Sequence, residues 1–230
     1  MSHLRCITCA ALVCAASLAQ PAFAETVQDE QMWVNLTAMG AISGPAVYFV
    51  EIQPRIGDGV SRLDQLLMRA AVGWKLSPGV TLYQGYGHIV VPGAGGRDVN
   101  EERSFQQLSL AMGKPLGGEL SSRTRLEQRW RSNGRDLGWR LRSMIRFERA
   151  ITAGGDKING LVWAEPFVAL NDTDWGARAG FDQLRSFVGA ELGLPGASTA
   201  EIGYLNQIVD QRGGNRRMNH VASVTVFFRP

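Results

Sequence analysis

Cysteine is almost absent from this sequence, and the three that occur lie close to the N-terminus: Cys6, Cys9 and Cys14. The rest of the chain therefore offers no disulfide and no thiolate chemistry. Long apolar runs are also missing. Outside the N-terminal segment, no stretch of the sequence approaches the roughly 18 consecutive apolar residues of a membrane helix. If the chain crosses a membrane, it must do so with β-strands.

Histidine is scarce as well, with only His3, His88 and His220 in the chain. A metal site needs several ligands at a suitable spacing, and two separated histidines without a neighbouring carboxylate do not provide one. We therefore predict no metal site and no cofactor.

The N-terminus has the pattern of a secretory signal peptide. Arg5 precedes an apolar stretch, and the small residues in 22–24 match a signal cleavage site. We predict a signal peptide over residues 1–24 and a single mature domain over residues 25–230. A lipid anchor on Cys14 is the alternative, although the valine before it is unusual for a lipidated cysteine.

The charge balance is slightly basic, with 24 lysines and arginines against 21 aspartates and glutamates and a formal net charge of +3. Such an excess could indicate nucleic-acid binding, but the arginines here alternate with apolar residues and do not form a solvated basic run. We predict no nucleic-acid partner.

Two neighbouring segments place a charged residue at nearly every second position. A helix would scatter these charges around its circumference, whereas a strand sends alternate side chains to opposite faces. The residues between them are mostly apolar, so each segment is predicted to be a strand with one charged and one apolar face. The charged positions, called the charge ladder below, are Arg123, Arg125, Glu127, Arg129, Arg131, Arg140, Arg142, Arg146 and Glu148.

The same alternation recurs along most of the chain, in about eleven segments of roughly the length of membrane strands. Residues 62–76 would also suit a helix, but their apolar side chains share one parity, which favours a strand. The prediction is an all-β protein, an antiparallel transmembrane β-barrel of about 10–12 strands with a charged lumen. Because bacterial single-chain barrels have even strand numbers, either the segment around 32–38 lies outside the barrel or two strands have been merged.

Turn residues and aromatic residues fit this picture. Short and long clusters of turn-forming residues alternate, as they do between the tight periplasmic turns and longer external loops of outer-membrane barrels. Aromatic residues often fall near strand ends, where membrane barrels place girdles at the two interfaces, although core packing in a soluble barrel would explain these positions nearly as well. They include Trp33, Tyr48, Trp74, Tyr83, Trp130, Trp139 and Tyr204.

Several of these segments resemble the domain of unknown function 2490 family, uncharacterised proteins predicted to be outer-membrane barrels of Gram-negative bacteria. The strongest likeness is in residues 123–130 (RTRLEQRW) and 140–142 (RLR). Residues 85–88 (GYGH), 105–108 (FQQL), 181–185 (FDQLR) and 219–220 (NH) are similar to other recurring pieces of the family. The resemblance implies an outer-membrane barrel and no established activity.

The charge ladder admits two functions inside such a barrel. Its arginines and glutamates could pair with one another across strands and serve only the structure. Alternatively they could line a narrow passive channel, where the excess of arginine would favour small anions. The predicted partners are outer-membrane lipids and small anions.

Two further classes remain open. A soluble periplasmic barrel that binds an apolar ligand would turn its apolar parity inward and leave the arginines in water. A membrane-embedded lipid hydrolase could use His88 or His220 with a nearby serine. Ser223 has the opposite parity from His220, and His88 is expected in a hydrogen-bond network of the lumen. We therefore predict that the protein is not an enzyme.

Overall fold

A computed structural model describes residues 26–93, 95–151 and 158–230. The predicted signal peptide lies outside these residues. The described chain is almost entirely β-structure, with two single 3-10 turns at Pro115–Gly117 and Arg212–Gly214. None of its helices is long and apolar enough to cross a membrane. The strands are β1 (Thr26–Ser43), β2 (Ala46–Gly57), β3 (Arg62–Ser77), β4 (Val80–Val91), β5 (Val99–Gly113), β6 (Glu119–Arg131), β7 (Gly138–Ala150), β8 (Ile158–Ala169), β9 (Gly180–Gly193), β10 (Thr199–Asp210) and β11 (Arg216–Phe228).

The eleven strands form one closed barrel in chain order. This confirms the all-β barrel of about 10–12 strands, and β3 confirms the strand reading of residues 62–76. The even strand number was wrong, because the first segment belongs to β1 and no strands were merged. An up-and-down meander with an odd number of strands can close only if its first and last strands run in the same direction. Accordingly β1 and β11 pair in parallel, from Thr26 opposite Arg216 to Ala38 opposite Phe228, and all other neighbours are antiparallel.

Parallel closure places the first and last strand residues at opposite ends of the barrel. We call these the N-terminal end, where Thr26 lies, and the C-terminal end, where Phe228 lies. The tightest connections, 44–45 and 78–79, are at the C-terminal end. The longest, 170–179, is at the N-terminal end. Short turns therefore predominate at one end of the barrel and longer connections at the other, as predicted, and the last strand ends on the side of the short turns.

The two faces of the wall have opposite chemistry. Charged side chains of one parity are buried inside, including Arg125 at 2% exposure and Glu127 at 1%. Aliphatic side chains of the other parity cover the outside, where Val50 is 53% and Val72 is 59% exposed. The charged lumen is therefore as predicted.

Two aromatic clusters share the interior with the charges. One contains Trp33, Leu161, Phe187, Leu205 and Val221. The other contains Val47, Phe49, Ala71, Tyr83 and Phe105. Assigning Trp33 and Tyr83 to an interfacial girdle was therefore wrong, because both side chains face inward and pack in these clusters.

Candidate functional site

The lumen between β5 and β8 contains arginines bound to shared carboxylates. Glu101, on β5, accepts hydrogen bonds from Arg103 Nε at 2.7 Å and from Arg129 Nε at 2.6 Å. Arg131 Nε completes the group at 3.7 Å from the other carboxylate oxygen. One carboxylate is thus shared by three guanidiniums, which makes this a charge network rather than a set of separate pairs.

Glu127 has the same bridging role further down the wall. Its Oε2 accepts from Arg140 Nη2 at 2.6 Å, and its Oε1 lies 3.4 Å from Arg142 Nη1. Arg142 in turn binds Glu165 on β8 through Nε and Nη2, both at 2.9 Å. Glu165 also accepts from Arg123 Nη2 at 2.9 Å. Charge-assisted, two-point contacts of this kind are among the strongest hydrogen bonds in proteins.

Nearer the C-terminal end, Arg146 is surrounded by three carboxylates. It donates to Glu148, to Glu201 and, at 3.1 Å, to Glu191. All nine residues of the charge ladder therefore lie on the inward face and contact oppositely charged groups. Several of their partners were not in the predicted set. Four of these follow the same alternation: Glu101, Glu165, Glu191 and Glu201. The fifth, Asp182, is the unpaired residue at the register shift between β8 and β9.

Arginines on the other side of the lumen are held by aromatic rings and amides. The Arg55 guanidinium lies 3.8 Å from the centroid of the Trp33 ring and donates to the side chains of Gln53 and Gln65. Arg185 lies 5.0 Å from the same ring and 4.7 Å from the ring of Phe167. Within the described chain, neither arginine makes an ion pair.

The lumen contains two cavities with Trp33 in the wall of both. The mouth cavity, about 340 Å³, lies at the N-terminal end and is lined by amides such as Gln31, Gln183 and Asn219. Arg55, Arg62 and Arg217 and one carboxylate, that of Asp64, also line it. The mouth cavity therefore has a formal charge of +2.

The inner cavity, about 320 Å³, extends from Trp33 towards the C-terminal end. Three of its lining residues are glutamates: Glu51, Glu165 and Glu201. Six are arginines: Arg69, Arg123, Arg125, Arg142, Arg146 and Arg185. The formal charge of this lining is +3, so both cavities are electropositive.

The longest connection, 170–179, covers the paired side of the N-terminal end. Trp175 from this connection places its ring 5.0 Å from the Arg129 guanidinium and donates from Nε1 to the carbonyl oxygen of Asp136. Asp174 accepts hydrogen bonds from the backbone N–H groups of Arg135 and Asp136, and these bonds lower the pKa of its carboxyl. The two connections are thereby fixed to each other.

His88 lies on the outward face, so its predicted place in a lumen network was wrong. Its Nδ1 is 2.7 Å from Glu102 Oε1, and the Tyr86 hydroxyl donates to the other oxygen of that carboxylate. A row of outward amides and a hydroxyl continues this polar patch across β4, β5 and β6: Gln84, Ser104, Gln106 and Gln128.

His220 is also outward and hydrogen-bonds through Nδ1 to the Tyr204 hydroxyl at 2.6 Å. Ser223, by contrast, is buried at 9% exposure on the inward parity. Among the described residues, neither histidine hydrogen-bonds to a serine or threonine hydroxyl. No cluster of three or more potential metal ligands of the His, Cys, Asp and Glu type occurs in that part of the chain either.

Comparisons with known proteins identify a family without adding an activity. A family model described as protein of unknown function (DUF2490) matches residues 30–219. An uncharacterized protein of Methylorubrum extorquens is 46% identical over 219 residues, covering 95% of this chain and 96% of its own. No solved structure matches.

Proposed function

The chain belongs to the DUF2490 family of proteins of unknown function, and we propose that it is an outer-membrane β-barrel of a Gram-negative bacterium with a narrow interior path for small anions. Outer-membrane lipids would contact its wall, and the ion-pair network would keep the lumen rigid. The proposal joins a structural role for the charge ladder to a passive transport role for the two cavities.

The observation that carries this proposal is the sidedness of the wall. Membrane barrels turn apolar residues towards lipid and polar residues towards the lumen. Here the guanidiniums are inside and large aliphatic side chains such as Ile52, Val72 and Val188 are exposed outside. The soluble alternative requires the opposite orientation. The strands, of 12 residues or more, are also long enough to cross a bilayer at the usual tilt.

The anion path is supported by the charge of the cavities. Arginine-lined pores favour anions, and both the mouth cavity and the inner cavity carry more guanidiniums than carboxylates. Trp33 lies in the wall of both cavities, with the guanidiniums of Arg55 and Arg185 at 3.8 Å and 5.0 Å from its ring centroid, so an anion that moves between the cavities would pass these two arginines.

The membrane location is tested by comparing boiled and unboiled outer-membrane fractions on a gel, because closed membrane barrels resist SDS until they are heated. We expect a heat-dependent mobility shift in that fraction. Recovery of the protein as a soluble periplasmic species would contradict the proposal.

A matched pair of substitutions tests the lipid-facing wall directly. Val50 lies outward near the middle of β2, and Leu116 lies in the 114–118 turn with 83% exposure. An arginine on the lipid face costs about 2–4 kcal/mol near the bilayer centre and far less at the edge. We therefore expect Val50→Arg to impair insertion and Leu116→Arg to leave it intact. Equal tolerance of both changes would favour a wall in water.

The path itself is tested by electrical recording from the purified barrel in planar bilayers under a potassium chloride gradient. We expect small channels whose reversal potential has the sign of chloride permeation. A sealed barrel would limit the protein to its structural role, and cation selectivity would reject the path proposed here.

A further inference from the structure

The interior contains arginines whose charge no carboxylate of the described chain neutralises at hydrogen-bond distance. Arg185 makes no hydrogen bond or ion pair there, although only 8% of it is exposed. Arg125, at 2% exposure, donates from Nε to Gln107 at 3.0 Å. Its Nη1 has no hydrogen-bond acceptor and is 3.9 Å from the nearest glutamate oxygen, on Glu127.

These two side chains line the same cavity. Arg185 on β9 stands beside Glu165 on β8, and Arg125 on β6 stands beside Arg142 on β7. Glu165 is already occupied, because it binds Arg142 and Arg123. The other two carboxylates of the lining are also paired, Glu51 with Arg69 and Glu201 with Arg146, so none is left for Arg185. The Nε atoms of Arg69 and Arg123 also lack acceptors.

A buried charge without a partner is costly, and a native structure normally supplies what such a group lacks through water or an ion. Guanidinium groups present paired N–H donors that match the oxygens of carboxylates and phosphates. The inner cavity, of about 320 Å³, has space for such a group with several waters, since a water occupies about 30 Å³.

We propose that the inner cavity holds a small oxyanion, a phosphate or carboxylate group, bound by Arg185 and Arg125. The inference rests on the proposed function, because it identifies the oxyanions as the solutes of the anion path. Aromatic stacking holds the Arg185 guanidinium in place for this contact, with Phe167 and Trp33 as its supports.

The test uses the full mature chain, purified in detergent and shown to be folded by its heat-dependent mobility. Inorganic phosphate, acetate and chloride are titrated separately at constant ionic strength, with calorimetric binding and the thermal unfolding midpoint as readouts. We expect phosphate or acetate, but not chloride, to bind and to raise the midpoint. Whichever of phosphate and acetate binds more tightly identifies the preferred group. If neither binds more tightly or raises the midpoint more than chloride does, the proposal is overturned.

Arg185→Gln provides the second arm. It should weaken oxyanion binding by about tenfold or more, since it removes a charge-assisted contact. The matched control is Arg216→Gln at the exposed start of β11, which should bind as the unaltered protein does. Unchanged binding by Arg185→Gln would reject the site. Arg125→Gln is measured in the same way and takes its place if Arg185→Gln does not fold.

Binding in detergent does not require a membrane or an open path. A barrel that binds phosphate but does not conduct would retain the site and lose the transport function. If the barrel conducts anions but binds no oxyanion measurably, the proposed anion path stands and the proposed oxyanion site is rejected. The two proposals can thus fail separately.

Discussion

The two sides of the lumen stabilise buried arginines in different ways. Between β5 and β8, Glu101, Glu127 and Glu165 each bridge two or more guanidiniums through short hydrogen bonds. On the side formed by β1, β2 and β9, Arg55 and Arg185 lie against the ring of Trp33 without an ion pair in the described structure. We call these the paired side and the stacked side.

The two arrangements suit different roles: paired arginines stabilise the barrel wall, and stacked arginines have N–H donors available for an anion. On the paired side each bridging carboxylate hydrogen-bonds to two or more arginines, so the network holds four neighbouring strands together and occupies many of the guanidinium N–H donors. On the stacked side a ring supports the guanidinium but does not neutralise it, because a cation–π contact contributes only about 0.5–2 kcal/mol. The stacked arginines therefore remain able to bind an anion, as does Arg125, whose Nη1 has no acceptor although it lies on β6. The arginines that hydrogen-bond to carboxylates are committed to the wall.

The largest effect is expected from removing a bridging carboxylate on the paired side. Glu127→Ala would leave Arg140 and Arg142 without one of their partners in a buried site. Breaking such a pair costs about 3–5 kcal/mol. The measurement is urea unfolding of the refolded barrel in detergent, followed by tryptophan fluorescence. Glu119→Ala, at an exposed pair with Lys114, is the control and should change little. A similar loss in both variants would refute a network role for Glu127.

A smaller effect is expected from removing one arginine, and here the two sides can be compared directly. Arg129→Leu deletes two hydrogen bonds to Glu101, and we expect a loss of about 2–3 kcal/mol. Arg185→Leu removes a charge that has no carboxylate partner, so its free energy of unfolding should change by less than about 1 kcal/mol.

Arg216→Leu, at an exposed position, gives the baseline for this comparison in the same urea experiment. If Arg185→Leu were as damaging as Arg129→Leu, the distinction between the paired and the stacked side would be lost. If Arg129→Leu matched the baseline, the paired side would contribute nothing to stability.

The amide support of the stacked side should contribute less to stability than the hydrogen bonds of Arg129. Gln53 Oε1 accepts from Arg55 Nη2 at 2.9 Å and from Arg69 Nη2 at 3.2 Å. Gln53→Leu keeps the shape but removes this acceptor, and we expect a loss of about 1–2 kcal/mol. Gln106→Leu, on the outward amide row, is the matched control: it also removes two side-chain hydrogen bonds, but on the outer surface and not beside a buried guanidinium, so the loss should be smaller. The reverse order of the two effects in urea unfolding would argue against a supporting role for Gln53.

Sequence parity was sufficient to predict the strands and the inward face of the charge ladder, because alternation on β6 and β7 leaves one consistent orientation. Parity did not predict the orientation of β4 correctly, because on this strand the set of alternate residues with more polar side chains faces outward. The inward positions there need glycine: a Cβ on Gly85 would come within 2.1 Å of Phe105 Cζ, and one on Gly87 within 2.8 Å of Arg69 Cγ. His88 therefore faces outward. The crowding that requires this orientation comes from side chains of the neighbouring strands and cannot be read from the residues of β4 alone.

The pairing partners could not be predicted either. Which glutamate meets which arginine depends on strand register, and register shifts occur at irregular points such as Ala111/Gly113 and Phe167/Val168. Glu165 reaches Arg142 and Arg123 from β8 only because of this alignment. The parallel pairing of β1 with β11 likewise follows from closure of the whole barrel.

The smallest expected effect concerns the cover that connection 170–179 forms over the paired side. The Asp174 carboxylate accepts N–H groups of Arg135 and Asp136, and its pKa is lowered from an ordinary value of 3.8 by these bonds. A lowered folded-state pKa means that the contribution to stability is present above pH 3.8 and is lost as the pH falls through the folded value. We expect protease cleavage in 170–179 to increase on acidification below that range, and Asp174→Asn to show the increase already at neutral pH. Cleavage after Arg216, outside this contact, should not depend on Asp174. Identical cleavage of 170–179 in both proteins at neutral pH would show that the carboxylate does not hold the cover in place.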